Sequence, residues 1–243
     1  ITGAADTTLY LEHITLGDGI VVVDSVRLDE DGTFMLSGEA PLNPELYRLR
    51  IGGQGINLAI DSTETVTVKA DLGNMSFGYT VEGSGTCDTI RILSQKLAEL
   101  EKQVRQVAED RNFTIQERDE KIDTLVARYK SDVKMNFIRN RYGSTASYFA
   151  CFQILGSVRL FDPMQDKSDL TWLRAVANAW NEQYPGCPRS ENLANIVAQG
   201  RRNLAKPKEI VLDLDNSKVR ELGIIDITLP DINGKERTLG ALR

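Results

Sequence analysis

The sequence changes character at Gly83-Ser-Gly-Thr86, and this change limits what the chain can fold into. Before it, short β-branched runs alternate with turn residues, which is typical of antiparallel strands. After it, apolar residues recur at steps of three and four among charged helix formers, which indicates amphipathic helices. The pattern predicts an α+β fold, with an N-terminal antiparallel β-sandwich or open barrel followed by an α-helical domain.

The strand region is predicted to contain a long hairpin over residues 20–37. The β-branched run that begins at Ile20 and the alternating run Thr33–Ser37 flank the turn residues Asp29–Gly32. Further short runs of strand-forming residues follow up to Val81. Turn residues separate them about every 8–12 positions, as in β-sandwiches and small β-barrels.

Residues 88–142 are predicted to form a long helical hairpin. On the first helix, apolar residues at alternating three- and four-residue steps form a stripe along one face, which we call its seam. The second helix has an apolar seam of its own that includes Ile115. Thr114 and Glu117 have the spacing of a capping box, which predicts where the second helix starts. The two seams are expected to pack on each other; a homodimer contact through the same helices is the alternative.

Three shorter helices are predicted to follow, the first over Ser144–Leu155 and the other two with Ser168 and Ser190 as N-caps. Their aromatic residues, which include Trp172 and Trp180, have the spacing of core positions, and a ligand cage is the second interpretation. The predicted domains are an antiparallel β domain over 1–85, a helical domain over 86–205, and a linker with a hairpin over 206–243.

Charge is unevenly distributed along the chain. Residues 1–86 carry four Lys/Arg against thirteen Asp/Glu, a net charge of −9, and residues 87–243 carry 25 against 22, a net charge of +3. The acidic half argues against nucleic-acid partners, which need basic patches. No apolar run reaches the ~18 residues that suggest a membrane span. The start at Ile1, without Met or a visible signal peptide, favours a trimmed N-terminus.

The three cysteines form no C-x-x-C pair and no zinc-ligand spacing. Cys151 lies in an apolar helical pattern and is predicted to be buried, whereas Cys187 lies in a Pro/Gly loop and is predicted to be exposed. A Cys151–Cys187 disulfide and a reactive, resolving role for Cys187 stay open as alternatives. No role is assigned to Cys87.

Other motifs give no assignable chemistry. Gly83–Thr86 lacks the residues of a phosphate-binding loop, and Asp29–Gly32 does not match a calcium loop at its first and last ligand positions. His13, the only histidine, is interpreted as an ordinary strand residue. The sequence therefore predicts no catalytic, cofactor-binding or metal-binding residue, and no cofactor.

The last stretch, Ile227–Arg243, contains two short extended segments around Asn233-Gly234, a strong hairpin signal. Its L-P-D-x-N-G-K pattern resembles the opening hairpin of thioredoxin-like domains of the peroxiredoxin (AhpC/TSA) and thiol-disulfide oxidoreductase type. Patterns near the N-terminus, such as Asp29-x-Asp-Gly-x-Phe34 and Val81-Glu-Gly-Ser84, resemble a domain of unknown function that precedes such domains in bacterial envelope proteins. The order of the parts also matches that family.

The resemblance implies a non-catalytic accessory region of a cell-envelope thiol-disulfide oxidoreductase. This region would position, dimerise or restrict access to a thioredoxin-like domain, and the catalytic cysteines are expected beyond Arg243. The implied partners are that C-terminal domain and, through it, the thiols of envelope proteins. The implied location is the periplasm or cell envelope. Proteins of this type are often lipid-anchored through an N-terminal cysteine, and this sequence, which begins at Ile1, does not show that cysteine. The alternative is a protein- or ligand-binding module of the envelope with no redox role.

Overall fold

A computed structural model describes residues 1–205 and two short strands, 228–230 and 236–238. The chain divides into two compact units, Ile1–Ala205 and Lys206–Arg243, which are described separately. The first unit begins with an antiparallel sheet and continues with helices. The predicted α+β class is therefore confirmed.

The largest sheet has four antiparallel strands in the order β2-β1-β3-β4. Its strands are β1 (Thr8–Ile14), β2 (Ile20–Arg27), β3 (Glu45–Ile51) and β4 (Gln54–Ile60). Strands β3 and β4 form a hairpin across Gly52, whose φ of 56° favours glycine at this turn. This order leaves β2 and β4 as the two edges of the sheet.

The predicted hairpin over residues 20–37 is wrong, because β2 pairs with β1 and not with residues 33–37. The turn that joins β1 to β2 is closed by a backbone hydrogen bond from Thr15 N to Gly19 O of 2.8 Å. Residues 33–37 have no regular strand structure. Instead, Phe34 and Leu36 are half-buried and pack against the core of the sheet.

A second, two-stranded sheet consists of β5 (Thr67–Lys69) and β6 (Thr80–Glu82). The last predicted run, which ends at Val81, therefore corresponds to β6. A single 3₁₀ turn, Leu72–Asn74, lies between the two strands and is capped by the Asp71 side chain. A continuous apolar core lies under both sheets, and its fully buried members include Leu9, Leu28, Ile56, Met75 and Tyr79.

The predicted helical hairpin is present as α1 (Gly85–Glu109) and α2 (Ile115–Asp132). Thr114 and Glu117 form the predicted capping box, with reciprocal side-chain to backbone hydrogen bonds. A π-helical segment, Val133–Ile138, continues α2. Most seam residues lie between the helices or against the helical core, as predicted. Ile115 does not, since 75% of it is exposed in the first turn of α2.

The remaining helices are α3 (Thr145–Cys151), α4 (Lys167–Gln183) and α5 (Pro188–Ala205), with the two-residue strands β7 (Ile154–Leu155) and β8 (Val158–Arg159) between α3 and α4. Ser144 is the N-cap of α3, which ends at Cys151, four residues before the predicted end at Leu155. The two predicted N-caps are wrong. Asp166 caps α4, because its carboxylate accepts from the backbone N–H of Ser168 and of Asp169. Helix α5 starts at Pro188, since proline suits the first helical turn, so Ser190 lies inside the helix.

The aromatic residues of these helices are core residues rather than a ligand cage. Trp180 is fully buried, and its ring centroid lies 5.0 Å from that of Tyr148 and 5.2 Å from that of Tyr184. Such tilted pairs are the usual packing of aromatic rings.

In the second unit, β9 (Thr228–Pro230) pairs antiparallel with β10 (Glu236–Thr238). The predicted hairpin strands are therefore confirmed, whereas the predicted turn at Asn233-Gly234 and the predicted linker lie outside the described residues. Among the described residues, no helix is both long and apolar enough to cross a membrane.

Candidate interaction surface

All three cysteines are free and buried. The prediction for Cys151 is confirmed, but that for Cys187 is wrong, because only 2% of Cys187 is exposed. Its carbonyl oxygen accepts the Glu191 N–H at 3.0 Å and its N–H donates to Tyr184 O at 3.2 Å, so this loop folds against the start of α5. The alternative disulfide between Cys151 and Cys187 is absent.

The environment of two of these thiols suppresses their reactivity. Burial raises the pKa of the Cys151 thiol to about 12, and the nearby Asp169 carboxylate adds to the rise. Burial also raises the pKa of the Cys87 thiol. Since the thiolate is the nucleophile, neither group is suited to thiol-disulfide exchange in the folded chain.

Cys87 instead closes the β4 edge of the sheet. Its Sγ donates to Ala59 O at 3.1 Å and accepts the Ala59 N–H at 3.4 Å, and Ala59 is fully buried. Ser76 Oγ accepts the Gly55 N–H, which lies on the same outer edge of β4, at 3.0 Å. An unpaired strand edge offers its backbone groups to other chains, and here side chains of α1 and of the turn before β6 bond the Gly55 N–H and both backbone groups of Ala59.

The opposite edge of the sheet, formed by β2, is exposed to solvent. Ile20, Val21, Val22 and Val23 are each 42–50% exposed, so neither face of this half of the strand is covered. Among the described residues, no backbone hydrogen bond joins β2 to any segment on its outer side. We use the name "β2 edge" for residues 20–23. Four consecutive β-branched residues without alternation are the sequence signal that could have identified it.

The register of the β1–β2 ladder shows which backbone groups of the β2 edge point outward. Gly19 O accepts from Thr15 N, and hydrogen-bonded pairs alternate along an antiparallel ladder. Val21, opposite His13, is therefore the next residue bonded to β1. Ile20 and Val22 direct their N–H and C=O groups away from the sheet.

An ion network lies on the sheet face beside Val22. The Glu12 carboxylate, whose side chain is 4% exposed, accepts from Arg48 Nε at 2.8 Å and Arg50 Nε at 2.6 Å. Arg50 also stacks on the Tyr10 ring, 4.5 Å from its centroid. Burial raises the pKa of Glu12, but hydrogen bonds from the two arginines outweigh it, so the pKa lies below its usual value.

Exposed apolar side chains are concentrated in residues 16–42, the segment that contains the β2 edge. Seven of the twelve large exposed hydrophobic residues lie within residues 16–42, and Met35 and Leu42 are 89% and 100% exposed. The same segment contains six acidic residues and one basic residue, a net charge of −5. An apolar strand edge with an acidic surround is therefore the most distinctive surface of the first unit.

His13 is a strand residue, as predicted, and it also takes part in a polar cluster. Its Nε2 lies 3.0 Å from Glu45 Oε2, and its ring stacks on Tyr47. Arg189, which is almost fully buried, donates from Nε to the same Glu45 oxygen at 2.8 Å and from Nη2 to Ile14 O at 2.6 Å. The cluster ties α5 to the ends of β1 and β3, which is a structural role.

A second charged cluster lies within the helical region. The Asp169 carboxylate, whose side chain is fully buried, lies 2.6 Å from Lys130 Nζ and 2.9 Å from Lys134 Nζ. Its Oδ2 also accepts the Asp162 N–H at 2.9 Å. The charges are paired by protein groups, so the cluster stabilises the packing of α2 on α4 rather than offering a ligand site.

A cleft of about 540 Å³ lies where the end of β4 meets α3 and α4, and its lining includes Asp61, Arg141 and Gln183. The Asp61 carboxylate accepts from Thr145 Oγ1 at 2.7 Å and Thr86 Oγ1 at 3.2 Å. Protein groups thus already satisfy the acidic group of the cleft. No group of three His, Cys, Asp or Glu side chains in the described part of the chain could hold a metal ion.

Comparison with known proteins gives one match. Residues 1–90 match the model of a family described as "Domain of unknown function (DUF4369)". These residues cover the sheets and the first turns of α1, so the match agrees with the resemblance of the N-terminal region to a domain of unknown function. No curated protein and no solved structure matches the chain.

Proposed function

We propose that this chain is a non-catalytic accessory region of a cell-envelope thiol-disulfide oxidoreductase. The observation that carries the proposal is the antiparallel pairing of Thr228–Pro230 with Glu236–Thr238. This pairing occurs in the stretch whose sequence resembles the opening hairpin of thioredoxin-like domains. It belongs to a unit distinct from residues 1–205, as expected for the start of a separate domain.

The burial of the cysteines supports an accessory role. Cys87, Cys151 and Cys187 are all shielded from solvent, and Cys87 serves as a structural cap of the sheet. Residues 1–205 would then position the redox domain or restrict access to it, and the thiols of envelope proteins would be reached only through that domain. The periplasm or cell envelope is the location that goes with this role.

A dimerising role receives less support. The seam residues of α1 and α2 pack into the helical core, so a dimer through these helices would have to use their charged outer faces. Sedimentation at several protein concentrations tests this role. A monomer at every concentration would rule out a dimerising role.

The test of the main proposal is insulin-disulfide reduction. The 243-residue chain is compared with the same chain continued by the sequence that its gene encodes after Arg243. We expect activity only in the continued chain, and we expect replacing Cys87, Cys151 and Cys187 by serine to leave that activity in place. Activity of the 243-residue chain by itself would contradict the proposal, and so would an inactive, folded continued chain.

A second candidate function is a protein-binding module of the envelope without a redox role. The open β2 edge favours it, because an apolar, unpaired strand edge is a usual site for an added strand. The insulin assay separates the two functions. A pure binding module would be inactive in both chains.

A further inference from the structure

We propose that the β2 edge binds an extended, basic segment of a partner protein as an additional strand of the sheet. This inference deepens the binding function described above and rests on it. It does not depend on the thioredoxin-like assignment, since the same surface could recruit a partner in either case.

The backbone of the β2 edge is ready for strand addition. Ile20 and Val22 each present one N–H and one C=O outward, and two such residues are roughly 6.8 Å apart along a strand. An incoming strand with the same repeat can exchange hydrogen bonds with both. The β-bulge opposite Leu11 and Glu12 ends this regular stretch at Val23, which limits the register of the added strand.

The side chains of the β2 edge define the apolar part of the partner. Ile20 and Val22 lie on one face, Val21 lies on the other, and all are about half exposed. Cross-strand pairs of β-branched residues stabilise a sheet, so the incoming segment should carry aliphatic or threonine side chains on both faces.

Charge decides which occupant is favoured. The net charge of −5 over residues 16–42 attracts a segment with Lys or Arg near its apolar residues. A second copy of this chain, paired through the same edge, would place two acidic segments side by side, because such a two-fold contact uses the same patch twice. Self-pairing is therefore disfavoured.

The chain's own residues 33–38 do not fill the site. Ser37 N donates to Asp24 Oδ2 at 3.2 Å, and Phe34 and Leu36 turn toward the core, so this segment is fixed beside the second half of β2. Near the β2 edge it approaches Val23, whose Cγ1 would lie 3.3 Å from a Cβ added at Gly38. Its hydrogen bond to β2 is the one from Ser37 N to Asp24, and among the described residues none is made to the outward groups of Ile20 and Val22.

The test uses a defined probe, the fluorescein-labelled peptide Lys-Val-Thr-Val-Lys-Val-Thr, and an analogue with glutamate at both lysine positions. Fluorescence anisotropy is measured for the wild-type chain, Val22→Pro and Val22→Thr. Proline removes an outward N–H but leaves the groups that pair with β1, whereas threonine keeps the N–H. We expect the basic peptide to bind about tenfold more weakly to Val22→Pro, and Val22→Thr to stay close to wild type.

Salt and hydrogen exchange make the test specific. The preference for the basic peptide over its acidic analogue should shrink at about 0.5 M NaCl, where charges are screened within a few ångströms. Amide exchange at Ile20 and Val22 should slow when the peptide binds the wild-type chain, which is a readout that does not depend on the folding of a variant. Equal binding to Val22→Pro in its folded form, protection at other residues only, or dimers paired through β2 would each overturn the proposal.

Discussion

The two edges of the four-stranded sheet differ in the partners of their outward backbone groups. On β4, Ser76 satisfies the outer Gly55 N–H, and the Cys87 thiol satisfies both backbone groups of Ala59 beneath α1. On β2, the outer groups of Ile20 and Val22 have no protein partner among the described residues, and apolar side chains face solvent. Side chains thus close part of the β4 edge, whereas the β2 edge is available for binding.

Two kinds of interaction stabilise the sheet. Strand β4 is stabilised by apolar burial against α1 and the helical core. Two ion clusters lie on the central strands β1 and β3. One is the Arg189–Glu45 pair, which includes Ile14 O, and the other is the Glu12 carboxylate with Arg48 and Arg50. We therefore expect large losses of stability from changes in the buried Arg189 pair and at the β4 edge, and small ones at the open β2 edge.

The largest effect is expected from Arg189→Met, which removes the ion pair that ties α5 to the sheet. Glu45 and Ile14 O would lose their buried partner, and this should lower the free energy of unfolding by about 3 kcal/mol. Urea denaturation followed by circular dichroism measures the change. The matched control is Arg27→Met, whose exposed pair with Asp6 should contribute about 0–1 kcal/mol. Equal losses of stability from the two substitutions would contradict the structural role of the buried Arg189 pair.

Cys87→Ala should give the next largest effect. It opens a small cavity and leaves the N–H and C=O of buried Ala59 without a partner, at a cost of about 2 kcal/mol. Cys151→Ala is the control, since it removes a buried thiol that has no hydrogen bond here, and it should cost about 1 kcal/mol. A smaller effect for Cys87→Ala than for the control would contradict the edge-cap role.

Acid should weaken the ion network of Glu12 with Arg48 and Arg50. The pKa of Glu12 is lowered in the folded chain, so its contribution is present above the unfolded-state pKa and is lost as pH falls through the folded-state pKa. Glu12→Gln should therefore flatten the fall in stability below about pH 4.5, relative to wild type. Thermal unfolding between pH 7 and the acid range measures the slope. Glu39→Gln, an exposed control, should leave the slope unchanged.

Val22→Thr should have the smallest effect on stability. Since half of Val22 is exposed and its N–H is kept, we expect a change within about 0.5 kcal/mol. The same urea experiment measures it. A loss as large as that of Cys87→Ala would mean that the β2 edge is covered within the folded chain.

The sequence was sufficient for features with strong local signals. The helical hairpin and the capping box of Thr114 and Glu117 follow from periodicity and spacing, and both are present. The strands β9 and β10 follow from the Asn233-Gly234 signal in the same way. In each of these cases, residues close in sequence determine the structure.

The features that were missed depend on distant residues. Strand β2 could pair with β1 or with residues 33–37, since both segments neighbour it in sequence. The alternation of apolar and polar residues does not determine which of the two pairings forms. The Pro/Gly composition around Cys187 suggested exposure, but the loop folds back on Tyr184. The run of β-branched residues at 20–23 marks a strand without alternation, but only the sheet order shows that this strand is outermost.

Hydrogen exchange of four backbone amides tests the contrast between the edges most directly. In the monomeric chain without a partner, we expect the amides of Ile20 and Val22 to exchange at close to solvent-exposed rates. We expect the amides of Gly55 and Ala59, bonded to Ser76 and Cys87, to be protected to nearly the level of global unfolding. Protection of Ile20 and Val22 equal to that of Ala59 would show that the β2 edge is closed and would contradict the difference between the two edges.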